Sequence, residues 1–341
     1  MKISFLVTYY NQKQYVDQSL QSILNIRKPC QWEILVGDDG STDGTIELVQ
    51  DYIRRYPGRI FLHIMPRKPG EQYAPVQRAS ANRMNLLEKS TGDAYCILDG
   101  DDYYCDESFL EEALEVFRTR KEISAVVFGY RLVTDGIPGE DRILPPHMDG
   151  TVADKREYLR SRYIHAGACV FRHNVSTERI AQLKRIGYYD DNDILIEALD
   201  RGELYGIRRV IYAYRQTSTS TFNSMSFVEQ AVLNVQGYDV DVQLISPEYH
   251  EDLLYRNGDP IVTMYIWRRQ LRKLLGESKY ERYHTGCKQL EASLAKDLLE
   301  YERLDKDRAW QAATVVRSAM RMLKKRTVKR YLQYIAYRLK G

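Results

Sequence analysis

Apolar strand-like runs alternating with helix-periodic segments constrain the first half of this chain more than any other feature. Lys2–Thr8, Trp32–Val36, Ile60–Ile64, Ala94–Leu98 and Ala125–Tyr130 read as strands. Tyr15–Leu24, Asp43–Tyr56, Gln77–Lys89 and Ser108–Arg118 read as the helices between them. That spacing predicts a right-handed βαβ succession, and so an α/β fold on a mainly parallel sheet. After a looser stretch from Asp135 to His165, further strands are expected at His165–Phe171 and Leu204–Arg215, with helices at Val175–Ile186 and Asp193–Arg201. Beyond about Phe227 only helical patterning remains, through Lys279–Arg303 and Trp310–Leu339. The expected division is an α/β domain over 1–225 and an all-helical extension over 226–341.

The chain has 341 residues, 44% hydrophobic and 28% charged, enough for two domains or for one large domain with an appendage. Ile3–Val7 is too short for the apolar core of a secretion signal, and no run approaches the roughly 20 apolar residues of a membrane helix. The five cysteines are scattered without a CxxC pair, which suits reduced structural thiols and a cytoplasmic protein. A net charge of +3 hides an asymmetry: no acidic residue follows Asp307, whereas arginines and lysines accumulate from Arg308 to Lys340. With apolar and aromatic residues interleaved, Trp310–Leu339 reads as an interfacial helix on an anionic membrane, at its inner face. Packing on its own domain or in a homo-oligomer is the alternative. No nucleic-acid reading motif accompanies the basic residues.

Three expected strand ends carry chemistry. Asp99-Gly100-Asp101-Asp102 follows the apolar run Ala94–Leu98, placing three carboxylates where folding asks for none. Hard divalent cations take oxygen ligands, and open α/β sheets bind ligands at the carboxyl ends of their strands. The second strand runs into Gly37-Asp38-Asp39-Gly40-Ser41-Thr42-Asp43-Gly44-Thr45. One of Ser41, Thr42 and Asp43 is needed to cap the next helix. The adjacent pair Asp38-Asp39 exceeds that need and sits where a base or ribose can be hydrogen-bonded. Thr8–Asn11 ends the first strand in the same crevice.

These three motifs, in this order, resemble those of the family 2 glycosyltransferases of the GT-A fold, enzymes that use nucleotide-diphosphate sugars. The resemblance covers residues 1 to about 225 and implies a Rossmann-like first domain. It implies that Thr8, Tyr10 and Asp39 hold the nucleobase, with Tyr10 stacking on it. Asp99 would touch the ribose, and Asp101, helped by Asp102, would bind Mn²⁺ or Mg²⁺. The family's general base precedes a helix in an acidic motif, matched here by Asp190-Asp191-Asn192-Asp193 ahead of Gly202, which singles out Asp191. The same carboxylates also suit a helix N-terminus. The implied activity is inverting sugar transfer from a nucleotide-sugar donor, preferably a UDP-sugar, to a glycan or lipid-linked acceptor in cell-surface polysaccharide synthesis. One departure stands out: where the family often has a metal-binding histidine after Tyr-Arg, Tyr214-Arg215 is followed by Gln216 and Thr217. That departure leaves room for a non-catalytic GT-A scaffold serving another transferase. A nucleotidyltransferase fits less well, because no glycine-rich basic loop follows the first strand. His165 is a candidate for lining the acceptor site.

Overall fold

A computed structural model describes residues 1–67, 75–161, 164–216, 225, 227–257, 271–277 and 280. Thr217 and the basic segment after Asp307 lie outside the described residues. Two compact units are present, one of residues 1–158 with 162–220, the other of 159–161 with 221–341.

The first unit begins β1 (Lys2–Tyr9), α1 (Lys13–Asn25), β2 (Gln31–Asp38), α2 (Thr45–Arg55), β3 (Ile60–Ile64), α3 (Pro75–Lys89) and β4 (Ala94–Asp99). These four strands pair in parallel in the order β3-β2-β1-β4, as the alternation predicts. Ile3, Phe5 and Val7 of β1 join Val16, Leu20 and Ile23 of α1 in one core. Leu6, Leu35 and Ile97 are also buried, so these strands are covered on both faces.

The other half of the sheet is mixed. β5 (Tyr103–Tyr104), α4 (Phe109–Thr119), β6 (Ile123–Thr134), β7 (Ile137–Arg142) and α5 (Lys155–Ser161) lead to β8 (Cys169–Arg172), α6 (Thr177–Ile186), α7 (Asp191–Arg201) and β9 (Glu203–Gln216). β8 runs antiparallel to β4 and β6, β5 runs antiparallel to β9, and β6 and β9 are parallel. β6 outruns its expected end at Tyr130 because it turns back into β7 through Asp135-Gly136, both at positive φ. Asp-Gly between strands is a strong hairpin signal, and here it lay inside a stretch that otherwise read as loop. β8 starts at Cys169, four residues later than expected, because the 3₁₀ turn Ala166–Ala168 intervenes.

Among the described residues, the second unit is helical, with α8 (Phe227–Leu244), a 3₁₀ turn at Pro247–Tyr249 and a short helix at Leu271–Leu275.

Candidate active site

Register brings the strand ends together. Thr8 of β1 lies opposite both Gly37 of β2 and Asp99 of β4, and Tyr9 lies opposite Asp38. The turns beyond are stitched by backbone bonds, Asp39 N–H to Tyr9 O at 3.0 Å and Gly100 N–H to Thr8 O at 2.9 Å. Gly100 is required there, since a Cβ would stand 2.1 Å from a ring carbon of Tyr9. Asn11, in the left-handed region at φ 49, accepts from the Thr42 N–H at 2.9 Å, while its own N–H donates to Ser41 Oγ at 2.8 Å. The β1–α1 and β2–α2 turns are thereby clamped to each other.

The carboxylates then divide by role. Asp38 is buried and turned into its own turn, accepting from the Ser41 N–H and hydroxyl, both at 2.7 Å. Asp43 accepts from the Thr45 N–H at the start of α2 and from the Lys13 N–H, both at 3.0 Å. Asp39 faces two arginines: Arg78 Nε donates to Oδ1 at 2.6 Å and Arg67 Nη2 to Oδ2 at 3.0 Å. The Arg67 guanidinium also covers the ring of Tyr10, 4.3 Å from its centroid. Neither arginine is marked by a sequence motif; each arrives from beyond β3, through the chain's return toward α3.

At the end of β4, Asp99 accepts from Thr8 Oγ1 at 3.1 Å and from Arg83 Nη2 at 2.8 Å on each oxygen. Burial pushes the Asp99 carboxyl up, but the Arg83 guanidinium outweighs it and holds the group below the usual carboxylate range. Arg83 comes from α3, which is fixed to the sheet by the buried Asn82 amide donating to Gly37 O at 2.9 Å. Arg83 then reaches a second acid, with Asp191 Oδ1 3.6 Å from Nη2. Nothing in the spacing of α3 advertises this bridge, because lysines and arginines on a helix ordinarily face water.

Asp190 and Asp193 form a capping box at the start of α7. Asp190 accepts from the Asn192 N–H at 2.8 Å, and its own N–H donates to Asp193 at 2.7 Å. These two take the helix-capping role that the acidic motif needs. Asp191 is left outside the capping box, with Arg83 Nη2 3.6 Å from one oxygen and His165 Nε2 3.6 Å from the other. Burial in the crevice raises its carboxyl, an effect that Arg83 and His165 offset in part and that Asp99 and Asp190 reinforce. A carboxylate held more basic than usual is suited to taking a proton.

The last two acids differ sharply. Asp102 is buried and turned toward β9, where Tyr212 Oη donates to Oδ2 and the Arg215 N–H to Oδ1, both at 2.6 Å. Both of its oxygens therefore serve the junction of the acidic turn with β9. The Tyr212→Phe variant is expected to lose about 1–3 kcal/mol of stability, because a buried acceptor is left without its donor. A denaturant midpoint unchanged from wild type would remove that anchoring role. Asp101 differs: burial and the nearby Asp99 charge push its carboxyl up to about 6. A half-buried carboxylate lacking a full counter-charge has the chemistry of an oxygen ligand for a hard cation. No group of three or more His, Cys, Asp or Glu side chains gathers around it among the described residues.

Comparison with known proteins gives the family and the fold. The model of the family "Glycosyl transferase family 2" matches residues 4–179, from β1 to the first turn of α6. EpsE of Bacillus subtilis (strain 168), a glycosyltransferase by provisional assignment, is 24% identical over 285 residues, 83% of this chain and 93% of that protein. TuaG of the same organism, provisionally a teichuronic acid biosynthesis glycosyltransferase, is 30% identical over 145 residues, 42% of this chain and 53% of that protein. Among solved structures, S. aureus TarS 1-349 in complex with UDP superposes with a TM-score of 0.55 at 15% identity, covering 96% of this chain and 93% of that one. That last likeness is one of fold.

Proposed function

Because the chain belongs to glycosyl transferase family 2 and has the GT-A fold, we propose that it is an inverting transferase using a UDP-sugar, acting on a glycan or lipid-linked acceptor in cell-surface polysaccharide synthesis. Residues 1–225 form the nucleotide-sugar domain in this reading, and 226–341 the helical extension. One observation carries it: Asp190 and Asp193 cap α7, which leaves Asp191 joined through Arg83 to Asp99 at the sheet's carboxyl edge.

Thr8, Tyr10 and Asp39 bind uracil. The ring of Tyr10 stacks on the base, and Asp39 accepts the imide N–H through lone pairs left over from Arg67 and Arg78, since a carboxylate offers about four acceptor sites. Asp99, steadied by Thr8 and Arg83, receives the ribose hydroxyls. Asp101 would hold Mn²⁺ or Mg²⁺; Asp102 supports the turn behind it. A divalent cation bound there would supply positive charge against the charge that develops on the departing diphosphate. Asp191 takes the proton of the acceptor hydroxyl as its oxygen bonds to the anomeric carbon on the face opposite the leaving group, which inverts the configuration. Arg83 sits between the two ends of this path, where its positive charge is available to the diphosphate.

No described helix is long and apolar enough to cross a membrane. The basic residues after Asp307 support a peripheral seat on anionic lipid, the surface that carries a lipid-linked acceptor. The test is a panel of UDP-sugars with Mn²⁺, read as thermal stabilisation and as UDP release. Stabilisation by UDP together with release from one panel member is the expected result. Binding without release from any member would favour the non-catalytic scaffold, and no binding would end the nucleotide-sugar reading.

A further inference from the structure

His165 immediately precedes the 3₁₀ turn Ala166–Ala168, and its Nδ1 accepts from the Gly167 N–H at 3.1 Å. A neutral imidazole that accepts at Nδ1 carries its proton on Nε2. That nitrogen faces Asp191 Oδ2 at 3.6 Å. Three tyrosine rings fix the plane of the imidazole, with centroids 4.8 Å away for Tyr214, 5.1 Å for Tyr212 and 5.3 Å for Tyr130. Gly167 permits this closeness, since a Cβ there would meet Tyr212 Cζ at 2.2 Å. Tyr212 is itself tied to Asp102, so the cage is anchored to the acidic turn. Backbone and rings converge on aiming one N–H at one oxygen of the part-exposed Asp191 carboxylate.

We propose that His165 is the positioning residue for Asp191, holding Oδ2 through Nε2–H so that the remaining lone pairs of the carboxylate meet the acceptor hydroxyl. The inference rests on the reading of Asp191 as the general base. The 3.6 Å gap is longer than a hydrogen bond, and such gaps in unliganded sites close when substrate binds. In the step itself the acceptor O–H proton passes to Asp191, the acceptor oxygen bonds to the anomeric carbon, and the UDP oxygen leaves with the electron pair of the broken bond. His165 keeps its proton throughout.

The test uses the full chain and the UDP-sugar that wild type turns over fastest. His165→Phe keeps a ring in the tyrosine cage but has no N–H to offer. His165→Asn keeps an acceptor for Gly167 and loses the donor to Asp191. His165→Gln restores an amide N–H near the place of Nε2. Phe and Asn are expected to lower kcat about tenfold, the worth of one hydrogen bond of about 1.4 kcal/mol, with KM for the donor and stabilisation by UDP unchanged. Gln is expected to recover most of the loss. In an Asp191→Asn background, His165→Phe should cost nothing further, because a residue acting through another loses its effect with that partner. Wild-type kcat in the Phe variant, or the same loss in both backgrounds, or no recovery by Gln, would overturn the proposal. A wild-type protein that turns over no UDP-sugar fails the transferase reading, which these ratios distinguish from failure of His165 alone.

Discussion

Asp191→Asn is expected to lower sugar transfer by about 10²- to 10⁴-fold, the usual span for a lost general base, with UDP affinity nearly unchanged. The amide keeps the shape of the side chain, and the capping box of Asp190 and Asp193 is untouched, so α7 holds its place. Arg83 retains Asp99 as its partner, and the nucleotide side of the crevice is left intact. Turnover measured as UDP release, beside UDP titration calorimetry, separates the two effects. Near-normal turnover would remove the base from this helix altogether, because the neighbouring carboxylates are committed to backbone N–H groups. The pH profile carries a second signature. A base with a raised carboxyl gains its proton at a higher pH than an ordinary aspartate, so the acid limb of kcat should be shifted upward from that of an ordinary aspartate.

The parallel half of the fold was legible because its strands are short, apolar and separated by periodic helices. The apolar pattern predicts β3 at Ile60–Ile64, and the structure has it there. The mixed half was harder to read. β5 is two residues long, and β7 (Ile137–Arg142) carries glycine, proline and charge on an exposed edge, so neither has an apolar rhythm. The acids of the site announced themselves by their density at strand ends. Their division of labour did not, because Asp38 and Asp39, or Asp101 and Asp102, are chemically identical in sequence and differ only in which way the turn points them. The basic partners were silent for another reason. Arg67, Arg78 and Arg83 reach their carboxylates from elements far along the chain, and an arginine's purpose is set by what folds against it. His165 stood out as a lone histidine at an expected strand start; the 3₁₀ turn that aims it became visible only with the structure.

Asp101→Ala should move two quantities in opposite directions. Without a cation, burial and the Asp99 charge raise the Asp101 carboxyl to about 6, whereas an unfolded chain holds it near 3.9. A folded-state pKa raised above the unfolded one contributes stability at low pH that is lost as pH rises through about 6. At neutral pH the ligand-free protein therefore carries the cost of an ionised Asp101, and the alanine variant should be more stable by about 1–3 kcal/mol. That gain should fade as pH falls from about 6 toward 4, and vanish below the unfolded value near 3.9, where the carboxyl is protonated in both states. The same variant should lose most of the further stabilisation that UDP with Mn²⁺ gives wild type, which mass action puts at about 2.7 kcal/mol when ligand stands at 100 times its dissociation constant. In wild type that metal-dependent part should itself shrink as pH falls through about 6, since a protonated carboxyl does not ligate. Thermal melts of both proteins between pH 4 and 8, with UDP alone and with UDP and Mn²⁺, read all of this at once. Equal stabilisation of the two proteins by UDP with Mn²⁺ would take the metal away from Asp101. A variant less stable than wild type at pH 7 would mean that Asp101 holds the turn together, as Asp102 does, rather than waiting there as an unpaired charge for a cation to complete.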